Sequence, residues 1–251
     1  MPAIVLAGGA TSAEFAAEAG LEPLPGSRGL AEIDGLPMVG YVLRALRQAE
    51  SVGEILVVAP PGFPTQPGVD AQLVGGASLV DNIEAGLARC GGASHALLST
   101  ADIPFITPAA VDDYVRACLA RKADLCYCAV PKAACDRRFP GMKRTYLPTP
   151  SGKFTGGNMV VTRVAAFSRA AALVREAYPR RKNPAYLVQL IGPANLLKLL
   201  LQRICLKDIE ASASRRMGIE CRLVVTDHAE LGTDVDRPED LRLARQLLSA
   251  R

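Results

Sequence analysis

Three short segments hold the residues on which chemistry can be built. One is a Gly-rich turn after an apolar run, Ile4-Val5-Leu6-Ala7-Gly8-Gly9. The other two are acidic turns, Thr100-Ala101-Asp102-Ile103-Pro104 and Asp234-Val235-Asp236-Arg237-Pro238. Glycine can follow a tight, often positive-φ path that turns backbone N–H groups toward a phosphate. Carboxylates from separate turns can converge on a hard, oxygen-loving cation. Together the segments point to nucleotide chemistry with Mg²⁺, with Asp102 and Asp236 as metal ligands and Asp234 as the other candidate for the second position.

Asp102 follows the apolar run Ala96-Leu97-Leu98-Ser99, which places it in the crevice beyond a strand end where open α/β sheets collect ligands. An Asp two residues before Pro104 can also simply turn the chain; the second acidic turn favours metal binding. Asp236 lies two residues before Pro238 and three before Glu239, the pattern of a helix N-cap and its capping box. One carboxylate oxygen can cap while the other coordinates, so both roles are expected together.

The elements that must position these turns alternate along the chain. Apolar runs predict strands at 3–6, 54–59, 95–99 and 124–130, and amphipathic spacing predicts helices at 37–48, 78–90, 108–121 and 164–177. This alternation predicts a mostly parallel sheet covered on both faces. Pro37 and Pro108 suit first helical positions, with Thr107 as a cap. Residues 131–157 break the pattern with four prolines, basic residues and Gly156-Gly157, and read as an excursion carrying a ribbon around 144–162. Residues 183–209 read as a helical pair packed on the sheet; Lys198, Gln202, Arg203 and Lys207 interrupt any run long enough to span a membrane, and peripheral membrane contact is the less favoured reading. The whole of 1–251 is expected to be one domain.

Composition narrows the function. The net charge is only +4, from 29 basic and 25 acidic residues, and six Phe, six Tyr and no Trp offer no stacking platform, which argues against a nucleic-acid partner. Seven scattered cysteines form no CxxC pair; Cys126 and Cys128 flank Tyr127 and read as core residues on one strand face. Reduced thiols, and a start that lacks a basic region before Ile4-Val5-Leu6, point to the cytoplasm. His95 and His228 accompany no nucleophile motif and read as core or surface residues.

The ordered segments Ile4 to Gly9, Ser27 to Leu46, Ser99 to Thr107, Lys153 to Val161 and Gly232 to Leu243 resemble the nucleotidyltransferases with a MobA-like NTP-transferase domain. The resemblance implies a Rossmann-like, three-layer α/β/α fold of the GT-A type with a mostly parallel mixed sheet. It implies that Leu6, Ala7, Gly8, Gly9 and Gly76 bind the nucleotide, that Arg28 and Lys153 act on its phosphates, and that Asp102 and Asp236 hold Mg²⁺. Gly157 and Asn158 look like the acceptor-side turn, although a bulge at the start of a strand explains the same glycines. In that family an acceptor phosphate attacks the α-phosphorus of an NTP and pyrophosphate leaves.

The chain departs from the pattern in three places. No basic residue follows the Gly-rich turn in Ala10-Thr11-Ser12-Ala13-Glu14-Phe15; Arg28 stands where the family has Lys; and no Arg follows Gly75-Gly76, which argues against methylerythritol phosphate as acceptor. Lys143, Arg144 and Lys153 can add positive charge from the excursion. The alternatives are a glycosyltransferase using a nucleotide sugar, disfavoured because Ala101-Asp102 is not Asp-x-Asp, and a non-catalytic nucleotide-binding module. A homodimer is compatible with all three.

Overall fold

The computed structural model describes residues 1–180, 193–201 and 203–249. Eight strands build the main sheet: β1 (Ala3–Leu6), β4 (Ile55–Ala59), β5 (Ala71–Val74), β6 (His95–Thr100), β7 (Leu125–Pro131), β8 (Leu147–Thr149), β9 (Gly152–Arg163) and β10 (Cys221–Val225). Their order is β10-β7-β9-β6-β1-β4-β5, with β8 added on β9. Parallel pairings join β1 to β4 and β6, β4 to β5, and β7 to β10; β9 runs antiparallel to both β6 and β7. The sheet is therefore mixed and mostly parallel, as the alternating pattern predicts.

The period of two along the strands divides the core between two faces. On one face Ala3, Val5, Ile55, Val57 and Leu97 pack in a cluster with Phe15 of α1 (Ala13–Ala19), Val42 of α2 (Met38–Gln48), Tyr114 of α4 (Pro108–Ala120) and Leu241 of the last helix (Pro238–Ser249). On the other, Ile4, Leu56, Val58 and Leu98 pack with Ile83 of α3 (Leu79–Arg89) and Phe167 of α6 (Val164–Arg180). These two clusters make the three layers.

The expected strands and helices lie within three residues of their observed limits, while α1, β5, β10 and α5 (Lys132–Arg138) are additions. Pro108 opens α4 and Thr107 caps it, accepting from Ala110 N–H at 3.2 Å; Pro37 instead ends the short hairpin of β2 (Glu32–Ile33) and β3 (Leu36–Pro37), one residue before α2. The excursion opens with α5, and its ribbon is the β8–β9 hairpin. Of the expected pair over 183–209, residues 183–192 lie outside the described residues; the remainder includes α7 (Pro193–Leu200) and the start of α8 (Leu206–Met217). The last helix, Pro238–Ser249, is α9. Among the described residues no helix is long and apolar enough to cross a membrane.

Cys126 and Cys128 are buried in the same cluster on either side of the partly exposed Tyr127, and all seven cysteines are free. His95 is half-buried beside Ser94, and His228 pairs with Asp113 at 3.0 Å on the surface.

Candidate active site

From β1 the chain builds outward to β4 and β5, then returns to place β6 on the other side of β1, with Leu6 opposite Thr100. That reversal is the topological switch point, beyond whose strand ends a crevice opens. The cleft found there is lined by all six residues expected to bind nucleotide, Leu6, Ala7, Gly8, Gly9, Arg28 and Gly76, together with Asp102 and Asn82.

The glycines serve close approach rather than an unusual φ. Neither Gly8 nor Gly9 lies in the left-handed region, contrary to the expected positive-φ path. A Cβ on Gly8 would fall 2.8 Å from Asn82 Nδ2, and one on Gly9 3.0 Å from Arg28 Nη2. Asn82 also accepts from Gly76 N–H at 2.7 Å, so one buried carboxamide packs beside the β1 turn and bonds the turn before α3. The sequence signal for Asn82 was a polar residue on the buried face of an amphipathic helix, among Val80, Ile83 and Leu87. Ser78 caps α3, and its capping box is completed by Asp81, which aims the positive end of the helix toward the cleft.

Arg28 comes from a short 3-10 turn, Ser27–Leu30, held by its backbone N–H donating to Thr11 Oγ1 at 3.0 Å. Its guanidinium lies beside Gly9, reaches Asp102 Oδ2 at 3.0 Å and bonds Asp236 Oδ1. The cation absent from residues 10–15 is thus delivered to the Gly-rich turn from another loop.

Asp102, Asp234 and Asp236 each offer a carboxylate oxygen within 4.8 Å of the others'. The two candidates for the second position are both present, so the acidic pair expected from sequence is a triad. Burial raises the Asp102 carboxyl above the usual carboxylate range, against the pull of Arg28. Asp234 is pushed up to about 7 by burial and by the charges of Asp102 and Asp236, opposed by Arg144. Asp102 Oδ1 is buried and has no hydrogen-bond partner. An orphaned carboxylate oxygen among crowded like charges fits a hard divalent cation. The residues present therefore suit Mg²⁺.

Asp236 does not serve as the expected helix cap. It turns to Arg28, and Asp240 accepts from the N–H groups of Arg237 at 3.2 Å and Asp236 at 3.4 Å, in place of Glu239. Asp240 sits one residue deeper because α9 begins at Pro238, so its carboxylate can fold back on the entry to the helix.

At the turn expected to face the acceptor, the β7–β9 register shifts between Tyr127 and Ala129, leaving a bulge in β9 that holds Gly157 and Asn158. A Cβ on Gly157 would fall 2.6 Å from Cys128 Sγ, and Asn158 Nδ2 donates to Leu231 O at 3.4 Å. Lys153 stands apart from the cleft. It lines a second depression with Lys132, Asp136 and Phe154 at the β8–β9 hairpin.

A single sheet between two helical layers, with a glycine turn, a guanidinium and three carboxylates at its switch point, defines an α/β protein whose cleft chemistry suits a nucleoside phosphate. The chain belongs to the family of the MobA-like NTP transferase domain, whose model matches residues 3–215, and it is a nucleotidyltransferase. It is 28% identical over 238 residues to the 2-C-methyl-D-erythritol 4-phosphate cytidylyltransferase of Chromobacterium violaceum, covering 90% of this chain and 92% of that one. A hypothetical transferase of Thermus thermophilus has a solved structure similar to this one, with a TM-score of 0.81 and 38% identity over 96% of this chain and 98% of the other. The 2-C-methyl-D-erythritol 4-phosphate cytidylyltransferase of Thermus thermophilus shares the fold, with a TM-score of 0.57 and 17% identity over 98% of both chains.

Proposed function

We propose that this protein, acting as one domain in the cytoplasm, transfers a nucleoside monophosphate from an NTP to a phosphorylated small molecule and releases pyrophosphate, using Mg²⁺. The observation that carries the reading is Arg28, whose guanidinium spans the glycine turn and two of three clustered carboxylates. The cytidylyltransferase relative makes CTP the nucleotide we propose.

Gly8, Gly9 and Gly76, with Leu6 and Ala7, bring backbone close to the nucleotide, and Asn82 adds a carboxamide to the same wall. Asp102, Asp234 and Asp236 would hold the cation. When bound, Mg²⁺ supplies charge neutralisation for the triphosphate and its departing pyrophosphate. Arg28 then turns its fork from carboxylates to phosphate oxygens, where a planar guanidinium binds bidentately. An acceptor phosphate oxygen forms the new bond to the α-phosphorus while the bond to the bridging oxygen breaks, its electron pair leaving with pyrophosphate. Alignment and charge suffice; no covalent nucleophile is needed.

Asn158 and Gly157 in the β9 bulge form the acceptor side, with Lys153 farther out as a positive flank for an anionic acceptor. The lack of Arg after Gly75-Gly76 supports an acceptor other than methylerythritol phosphate. Free thiols throughout support the cytoplasmic placement.

The test is pyrophosphate release from each of four NTPs against a panel of sugar and polyol phosphates, with and without Mg²⁺. Turnover with CTP that requires both Mg²⁺ and one acceptor is expected. Turnover of a nucleotide sugar in place of an NTP would replace this reading with glycosyl transfer.

A further inference from the structure

We propose that Arg144 is a positioning residue for the acidic turn, holding Asp234 and Asp236 in place against Asp102 so that three carboxylates form one cation site. The inference rests on the metal-dependent reading above. Arg144 lies between α5 and β8, far in sequence from the turn, and its side chain is only 9% exposed. Every polar atom of its guanidinium has a partner, and most of those partners belong to the turn. Nε donates to Gly232 O at 3.3 Å and lies 3.6 Å from Asp234 Oδ1. Nη2 donates to Asp234 O, and Nη1 donates to Lys143 O at 2.9 Å while lying 3.7 Å from Asp240 Oδ2.

These contacts fix both ends of the turn. The carbonyls of Gly232 and Asp234 flank Thr233, whose hydroxyl is itself committed to Ala229 O at 2.7 Å. Asp240, at the far end, holds the N–H groups of Asp236 and Arg237. The guanidinium thus grips the main chain before Asp236 and the carboxylate that receives the main chain at Asp236. Three like charges within 4.8 Å of one another repel, and Arg144 adds to the Arg28 bridge and to the Val235 N–H bond on Asp102 O in holding the turn against that repulsion. A planar fork with five donors can bond three carbonyls while keeping its charge beside two carboxylates; an ammonium cannot.

The sign of the effect separates positioning from charge. A fixed positive charge near a cation site opposes cation binding, so its removal should tighten binding if field were all that mattered. Loss of a positioning residue should weaken it.

The experiment is Mn²⁺ binding followed by electron paramagnetic resonance without nucleotide, on wild type, Asp102→Asn, Arg144→Met and Arg144→Lys, with folding followed by circular dichroism. Wild type should bind Mn²⁺ and Asp102→Asn should not; a wild type that binds none overturns the metal reading and this inference with it. Given wild-type binding, Arg144→Met should weaken Mn²⁺ affinity about tenfold or more, and Arg144→Lys several-fold despite its retained charge. Unchanged or tighter affinity in a folded Arg144→Met, or wild-type affinity in Arg144→Lys, overturns the inference. Should Arg144→Met fail to fold, Arg144→Lys decides.

Discussion

Val235 donates its backbone N–H to the carbonyl oxygen of Asp102 at 2.9 Å, joining the two acidic turns through main chain. The Val235 side chain is fully buried in the core cluster on the α2–α4 face of the sheet. With Val235 anchored in the core, its neighbours Asp234 and Asp236 offer carboxylate oxygens within 4.8 Å of those of Asp102. The spacing Asp-Val-Asp is what the triad requires.

The first prediction separates ligation from capping. Asp236→Ala should abolish metal-dependent turnover while changing stability little, because Asp236 bonds Arg28 rather than an amide at the entry to α9. Asp240→Ala removes the group that accepts those amides and should cost about 0.5–2 kcal/mol of stability. Urea denaturation of both variants checks this. A larger loss in Asp236→Ala would restore it to the role of helix cap.

Arg28 carries the second prediction. Replacing it with Met removes the guanidinium from beside Gly9 and should lower kcat/KM for the NTP by about 10- to 100-fold, the effect of roughly 1.5–3 kcal/mol for a charged hydrogen-bonding group. Arg28→Lys should recover only part of the loss, since an ammonium cannot reach two oxygens in fork geometry. Steady-state kinetics with NTP varied decides, and full activity in Arg28→Met would remove this residue from the phosphate site.

How far the sequence exposes such a site depends on range along the chain. The strands 3–6 and 95–99, the glycine turn and Asp102 were legible because each is a local pattern, an apolar run ending in a turn. The six residues expected to bind nucleotide meet in one cleft because parallel pairing sets Leu6 opposite Thr100. What stayed hidden arises from contacts between distant segments. Asp240 was missed in favour of Glu239 because a shift of one residue in the start of α9 decides which carboxylate reaches back. Arg144 read as loose positive charge in a proline-rich segment, and its ties to Gly232, Asp234 and Asp240 exist only after folding. The short elements α1 and β5 lack the length over which periodicity declares itself.

A third prediction concerns pH. Asp208 pairs with Lys198 of α7 and accepts from Cys205 N–H at 3.0 Å, contacts that hold its carboxyl well below the usual carboxylate range. Its folded pKa is lower than its unfolded one, so its contribution to stability is complete above the unfolded pKa of about 3.9 and is lost as pH falls toward the folded value. Melting temperatures of wild type and Asp208→Asn should differ above about pH 4 and converge in stronger acid. Parallel curves over that range would show that the pair contributes nothing to folding.

The final prediction tests whether Gly8 is glycine for the sake of Asn82. A Cβ at position 8 would lie 2.8 Å from Asn82 Nδ2, too close for either group to stay, while Asn82 Oδ1 is committed to Gly76 N–H. Gly8→Ala should therefore displace the carboxamide, and both turns of the nucleotide wall should shift with it. Asn82→Ala removes the obstacle and also the bond to Gly76. If the two residues act through one contact, the double variant should be less impaired in NTP affinity than the sum of the single variants, with a coupling of about 0.5–3 kcal/mol. Fluorescent-nucleotide titration of wild type, both single variants and the double variant measures that coupling. Strict additivity would mean that Gly8 is required by the nucleotide itself, with the backbone approaching the ligand directly and Asn82 serving only the turn at Gly76.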